Sequence, residues 1–519
     1  MSLLDPAALL ATRARLPTGA SRALLRRAVR SDTTTDLTLT RSASGRELLR
    51  LEITAPVQVV LAVAAGALLS AGYALHPVWW APWFAPVPLL MAASGSRLSA
   101  RSIGAIAGAV AMTSLLSYYV ELIGWPGTLL TTVLRAASWM LAIRLTVVAA
   151  RYLSLAGAVF VLPATIAACE LMALQLSPHG AAGSLAYSQM DVPGVVQIAA
   201  LGGVCAVVFL VLLPGSLVGL CLSRRFPRAE HRSAGALVSV IILAIALFSV
   251  ARLRTPHSGN TVPVTLISTN QFDRVRADWE DVWRTYRPAV IGSATSGGLV
   301  VLPEKLVLLD QEDAARAAQD VIEAARVTGA AIIVGVETRD RRVYHNRALL
   351  AAPDGHATWY DKQRLVPGWE DRDTPGESPV FLGVMDTRVG IAICKDMHIP
   401  AIGRQYAGNA AIMVVPAYDF GRDGWMGARM TAMRTVENGY AVARSARNGL
   451  VSAYDRTGRV LVEFPVGDSI TVATTTLPAD GSSTLYGRVG NVFGWLCLGG
   501  TVVLWIWLSL AQRRENSRG

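Results

Sequence analysis

Cys394, Glu304 and Lys362 each follow an apolar run, and together they are the side chains of this sequence best suited to nucleophilic chemistry. The segment Thr387-Arg-Val-Gly-Ile-Ala-Ile-Cys394 is a β-branched run that stops at the polar Lys395-Asp396. Its pattern predicts a buried strand with the thiol at its C-terminal tip, where layered α/β domains place their active sites. A lone thiol there is either a nucleophile or an inert core residue, since free cysteine is among the most buried residue types. A thiolate nucleophile needs a base for its proton and a cation or donor set for the oxyanion that forms. Leu299-Val-Val-Leu-Pro-Glu304 delivers a carboxylate just past a second buried run, where apolar surroundings would raise its pKa towards that of a general base. Trp359-Tyr-Asp-Lys362-Gln-Arg-Leu-Val-Pro367 places an ammonium ahead of a proline-stopped turn. Singly, the glutamate and the lysine read more plainly as solvated loop residues. It is their combination and order with the cysteine that carries information.

The rest of the chain sets the context. Of its five cysteines, Cys169, Cys205, Cys221 and Cys497 lie in long apolar stretches, and only Cys394 lies in a polar segment. The 519 residues are 52% hydrophobic and only 16% charged, with a mean hydropathy of +0.40. That balance fits neither an ordinary soluble protein nor a pure membrane bundle. Apolar runs long enough to cross a bilayer are expected at about 56–75, 78–95, 104–123, 128–150, 153–175, 194–222, 233–251 and 489–511. This predicts an α-helical membrane domain of about eight helices, with an α/β domain inserted between the seventh and eighth. The expected divisions are a basic tail over 1–50, a seven-helix domain over 51–255, a catalytic domain over 256–487, and a last helix with its tail over 488–519. The second run is broken by Pro82, Pro86 and Pro88, and the fourth carries Arg135 and Arg144. Glu170, an acid inside the fifth run, is expected to pair with one of those arginines.

Arginine placement orients the chain, because positive charge in short loops is retained on the cytoplasmic side. Arginines crowd the N-terminal tail, 97–101, Arg151, Arg224-Arg225-Phe-Pro-Arg228 and Arg513-Arg514, whereas the alternate loops contain neither Lys nor Arg. Both termini are therefore expected in the cytoplasm and the polar segment on the exported side. The net charge of +11 is then a topological bias and calls for no nucleic acid. No cleavable signal peptide is expected in the first 50 residues, which lack an apolar core before small residues. In an oxidising compartment structural cysteines pair, which favours reactivity for the single exported thiol.

Within the exported segment, strands are expected at 262–268, 299–303, 331–336, 347–352, 389–394, 411–416, 441–446, 450–455 and 470–475, and helices at 312–328 and 425–439. Continuous apolar strands between helices describe sheets buried on both faces in a layered α/β domain.

The three motifs Leu-Pro-Glu304, Tyr-Asp-Lys362-Gln-Arg-Leu-Val-Pro and Ile-Ala-Ile-Cys394 resemble those of the nitrilase superfamily. Seven spans before them and one after, with Tyr187-Ser-Gln189, Pro193, Gln197 and Glu370, resemble its membrane-embedded branch, the apolipoprotein N-acyltransferases. The resemblance covers about residues 55–510. It implies an αββα sandwich and a Glu-Lys-Cys triad that needs no metal or other cofactor. It also implies a bacterial inner-membrane enzyme that moves a fatty acyl chain from a phospholipid through a Cys394 thioester to the N-terminal amine of an exported lipoprotein. By the same resemblance Glu304 is the base, Lys362 the oxyanion stabiliser, and Glu370 a second carboxylate that positions the site.

The sequence departs from the family pattern where substrate would bind. Lys395-Asp396 stands where Tyr-Glu is typical, Pro367-Gly-Trp-Glu370 replaces Pro-Phe-Gly-Glu, and Ala417-Tyr-Asp419-Phe replaces Ser-Asn-Asp-x-Trp. Lys395 would lower the thiol pKa or change acceptor recognition, and Lys305 directly after Glu304 is also unusual. The alternatives are a membrane-anchored amidase or acyltransferase with another acceptor, and a catalytically silent scaffold. A Cys394–His398 dyad would be a different machine again. No metal-ligand spacing is present. Gly202-Gly203 and Gly499-Gly500 read as helix packing, and Leu365 to Trp369 and Phe420 to Met426 as membrane-facing loops near the site or as buried core.

Overall fold

The computed structural model describes residues 37–41, 47–51, 53–223, 225–257, 259–272 and 278–517. Most of the expected basic tail, and Arg224, lie outside them. Residues Leu37–Arg41 and Glu47–Leu51 pair as an antiparallel hairpin.

Among the described residues, six helices are long and apolar enough to cross a membrane. They are Ala55–Tyr73, Leu116–Ala149, Leu155–Leu176, Ala199–Leu222, Arg228–Arg254 and Val492–Asn516. Two further expected spans are shorter. The second is Ala81–Phe84 followed by Pro86–Ser94, because its prolines remove backbone donors from the helix. The third is Ala100–Val110, and its last residues belong to the start of Leu116–Ala149. That long helix is broken at Gly124, whose φ of 68° and ψ of 174° reverse the chain where a loop is expected. Ala100–Val110 then packs antiparallel on the returning half. Gly104 lies against the backbone of Met140 and Gly108 against that of Ala136, so close that a Cβ on either would sit 2.6 Å from a backbone atom. Small residues at helix crossings allow such approach.

The polar segment folds into two sheets. One runs in the order Thr471–Pro478, Thr261–Ser268, Leu299–Val301, Ala331–Asp340, Val343–Ala351, Ala357–Asp361, with Leu308–Leu309 also pairing Ala331–Asp340. The other runs Val460–Pro465, Leu450–Tyr454, Ala441–Arg447, Ile412–Tyr418, Thr387–Ile391, Val380–Val384. Each has a parallel centre flanked by antiparallel strands. Their inner faces meet in one core built from Val264, Leu299 and Ile333 of the first sheet and Val389, Ile412 and Val414 of the second. Helices Trp279–Ser293 and Gln311–Thr328 cover the outside of the first sheet, and Gly424–Asn438 covers the second, giving an αββα stack. Gln311–Thr328 begins at Asp310, which accepts from Asp313 N, and ends at Gly329 with φ 67°.

The second sheet's outer face shares its core with the membrane helices. Met413, Val415, Ala428 and Val436 belong to the same apolar cluster as Leu69, Leu162 and Val208. The α/β domain is therefore packed on the bundle rather than tethered beside it. Gly202-Gly203, expected as simple helix packing, is a break in Ala199–Leu222 at this seam. Gly203 has φ 65° with the ring of Tyr486 against it. The backbone donor freed at Val204 is taken by Glu437 Oε1 at 3.1 Å. Glu170 accepts from Leu185 N and forms no ion pair among the described residues; Arg135 lies over the Tyr73 ring at 3.7 Å and donates to Gly183 O.

Candidate active site

The parallel strands end together, and the residues just past their C-terminal tips converge between the sheets. Leu299–Val301 is followed by Glu304, Ala357–Asp361 by Lys362, Thr387–Ile391 by Cys394 and Ile412–Tyr418 by Asp419. The strand before Cys394 stops at Ile391, three residues earlier than expected, and the thiol opens a 3₁₀ turn over Cys394–His398. Cys394 has φ 42°, a conformation that a side chain other than glycine's adopts only under local constraint. Lys305, directly after Glu304, likewise has φ 51°.

Glu304, Lys362 and Glu370 form one buried cluster. The Lys362 ammonium donates to Glu304 Oε1 at 2.8 Å and to Glu370 Oε2 at 2.9 Å. Asn346 Nδ2 donates to the same two carboxylates at 2.6 Å each. Glu370 is further held by Lys305 Nζ at 2.9 Å and by Val366 N at 2.7 Å. Lys305 also reaches Asp373 at 2.9 Å. Glu304 thus lies among charged and amide groups, not in the apolar setting expected for it. Its Oε2 is buried and has no hydrogen-bond partner among the described residues.

Charges explain the acid–base state. Burial alone would lower the Lys362 ammonium, but Glu304 and Glu370 outweigh it and hold it well above the usual lysine range. Burial would raise Glu370, yet Lys362 and Lys305 hold its carboxyl well below the usual range. The Cys394 thiol is pushed well up by burial and by the Glu304 carboxylate, with Lys362 opposing. The expected lowering of this thiol by Lys395 is therefore reversed, because desolvation and the neighbouring carboxylate dominate.

Lys395 and Asp396 face the loop that carries Glu370. Lys395 Nζ donates to Leu365 O at 2.7 Å, and Arg364 N donates to Asp396 Oδ1 at 2.8 Å. Asp396 Oδ2 accepts from Tyr360 OH at 2.8 Å and Ile393 N at 3.0 Å. Burial, with Lys362 nearby, lowers Lys395 to about 8, and burial raises Asp396 to about 6. Asp419 pairs with the guanidinium of Arg444 at 2.5 Å, and burial raises its carboxyl to about 7 despite that partner. The loops at Leu365 to Trp369 and Phe420 to Met426 meet through Trp369 and Phe420, whose ring centroids are 5.0 Å apart. Both rings are exposed, while Asp423 and Met426 are buried, so the two loops divide between surface and core. His398 forms no hydrogen bond to Cys394 among the described residues. Its carbonyl accepts from Ala181 N, and its ring is held well below the usual histidine range by burial and by Arg444 and Lys395. The turn ends before Pro400, which opens the next helix.

Asn346, Asp373 and Arg444 were not anticipated from the sequence. Asn346 precedes the Arg-Ala-Leu-Leu-Ala end of Val343–Ala351 and gave little signal, its complete burial being visible only in the fold. Asp373 and Arg444 gave none, since their partners come from distant strands. No group of three or more potential metal ligands occurs among the described residues.

Residues 65–217 match the family model described as the apolipoprotein N-acyltransferase N-terminal domain, and residues 293–482 that described as carbon-nitrogen hydrolase. The chain is 25% identical to a Geobacter metallireducens protein named apolipoprotein N-acyltransferase, over 88% of this chain and 96% of that one. It is 24% identical to an Azotobacter vinelandii protein of the same name, over 64% of this chain and 69% of that one. Similar solved structures include an amidase from Nesterenkonia sp. AN1, at 19% identity over 45% of this chain and 97% of that one, with a TM-score of 0.39. A CN-hydrolase superfamily protein from Xanthomonas campestris is 21% identical over 42% of this chain and 91% of that one, with a TM-score of 0.37.

Proposed function

The chain belongs to the apolipoprotein N-acyltransferase family, the membrane-embedded branch of the carbon-nitrogen hydrolases, and from that premise we propose that Cys394 carries a fatty acyl chain from a membrane phospholipid to the N-terminal amine of an exported lipoprotein. The observation that supports this reading most directly is Glu304. One of its oxygens is fixed by Lys362 and Asn346, and the other is buried without a partner among the described residues. A thiol pushed upward is protonated at rest and needs such a base.

In the first half-reaction Glu304 takes the thiol proton as sulfur attacks the ester carbonyl of the phospholipid. The Lys362 ammonium lies beside the developing oxyanion. Collapse expels the lysophospholipid alkoxide, which takes the proton from Glu304 and leaves the thioester on Cys394. In the second half-reaction the acceptor amine attacks the thioester, Glu304 accepts the amine proton, and the thiolate leaves and is reprotonated. Glu370, fixed by two ammoniums and Val366 N, keeps Lys362 in place. The arginine-rich end of the bundle lies away from the α/β domain, with Arg225 donating to Ala93 O and Val147 O. Together with the retention rule this supports the reading that the domain is on the exported face and the termini in the cytoplasm.

Lys395, a buried cation where the family has an aromatic residue, supports a second reading in which the same thioester passes to water or to another amine. One experiment tests both. The detergent-purified chain and its Cys394→Ala variant are incubated with phospholipid and weighed intact. An acyl mass on the wild type alone, released by hydroxylamine and transferred to a diacylated lipopeptide, is the expected outcome. Transfer only to water or another amine supports the second reading, and no adduct with any phospholipid overturns both.

A further inference from the structure

A cavity of about 510 Å³ opens between the bundle and the α/β domain, where Val161–Leu176 ends and Val492–Asn516 begins. Leu174, Gln175 and Leu176 of the bundle line it, with Arg364 and Leu365 of the loop after Lys362, and Asn491. Glu304, Lys362 and Cys394 do not line it. Arg364 is exposed, and its guanidinium has no partner among the described residues. Leu176 beside it is 75% exposed.

Both helices are apolar enough to cross a membrane, so their ends mark the level where hydrocarbon gives way to headgroups. A free guanidinium lining the same cavity as the exposed Leu176 and the half-buried Leu174 is, at that level, complementary to a phosphodiester whose chains lie along the helices. We propose that this cavity binds the phosphodiester headgroup of a membrane phospholipid that is not consumed, with its chains against Leu174 and Leu176. The bound lipid would act on the site through the loop it grips. Arg364 N is held by Asp396 and Leu365 O by Lys395, the two residues that follow the nucleophile. A phosphate on Arg364 thus fixes that loop, and with it Glu370, against the turn that carries Cys394. The inference rests on the membrane embedding and not on the acyl-transfer reading.

The test uses the full chain carrying Cys394→Ala, which cannot consume lipid, exchanged in detergent with phosphatidylglycerol and examined by native mass spectrometry. Beyond any donor lipid held at the Cys394 site, one further retained phospholipid is expected, with its affinity falling about tenfold when Arg364→Gln is added, the scale of one charge-assisted contact, and largely kept by Arg364→Lys. Leu176→Glu sets a like charge beside the phosphate at an exposed position and is expected to weaken retention equally, so it decides the matter should Arg364→Gln fold poorly. Equal retention by all variants overturns the proposal, as does displacement of the lipid by equimolar inorganic phosphate, which would make the cavity a free-anion site. If wild-type Cys394 forms no acyl adduct while retention still depends on Arg364, the acyl-transfer reading fails and this inference stands.

Discussion

Two of the buried charge clusters among the described residues do different work. One joins Glu304, Lys362, Glu370 and Lys305 at the strand tips; the other joins Arg434 and Glu437 on Gly424–Asn438, where the α/β domain meets the bundle. Arg434 Nε lies 3.1 Å from Glu437, with both side chains fully buried. Burial raises the Glu437 carboxyl to about 7, with Arg434 opposing, whereas two ammoniums hold Glu370 far down. At the seam both groups are used to hold neighbours, since Glu437 accepts from Val204 N and Arg434 donates to Tyr187 OH. Each cluster has a carboxylate oxygen with no hydrogen bond among the described residues, Glu304 Oε2 and Glu437 Oε2, but the Glu437 oxygen lies 3.1 Å from Arg434 Nε, whereas the Glu304 carboxylate acts on the Cys394 thiol. Buried charge, even with an unused valence, therefore does not by itself mark chemistry; what distinguishes the tips is a thiol within reach of the carboxylate's charge.

Substitutions that exchange the two behaviours would break this comparison. Glu304→Gln is expected to slow the appearance of the Cys394 acyl adduct by about 10²- to 10⁴-fold, the range for loss of a general base, with the apparent melting temperature little changed. A large fall in melting temperature with an unchanged rate per folded molecule would place Glu304 with the seam instead. At the seam, Glu437→Leu leaves a buried guanidinium unpaired and is expected to cost about 3–5 kcal/mol, seen as domain unfolding by limited proteolysis. The double variant Arg434→Met with Glu437→Leu is expected to regain much of it, because no buried charge remains. Gly203→Ala puts a Cβ 2.4 Å from the Tyr486 ring at φ 65°, and about 2 kcal/mol is expected for such strain, readable in the same proteolysis series.

The smallest effect concerns Lys395. Its folded value of about 8 lies below the ordinary lysine value of about 10.4. Between those values the unfolded chain binds more protons, so stability rises with pH across that window and is lost as pH falls through about 8. Lys395→Met should flatten this rise, measured as the difference between the two melting curves from neutral pH upward. An unchanged slope would show that the ammonium on Leu365 O is not strained by its burial.

Much of the fold is legible because apolar runs declare themselves. The strand leading towards Cys394 and the helix Gln311–Thr328 follow from the apolar period, although the strand ends three residues early. Ala357–Asp361, Val380–Val384 and Val460–Pro465 were not expected, since flanking antiparallel strands with half-exposed faces give short mixed patterns. The returning chain at Gly124 was expected as a loop, but a single glycine at φ 68°, ψ 174°, a conformation essentially reserved to glycine, makes the reversal without leaving helical hydrogen bonding for long.

The sequence by itself determined the candidate triplet Glu304, Lys362 and Cys394, the order of its members and the separation of apolar helices from a layered α/β region. Each of these rests on residue type and on local period, which a linear chain displays. The tertiary structure decided which groups surround them. Asn346 bridging Glu304 and Glu370, Lys305 reaching Asp373, the raised thiol, and Glu437 filling the break at Val204 all depend on side chains brought together from strands and helices far apart in sequence. Charge and desolvation act through space, so the state of a buried group is fixed only when its neighbours are.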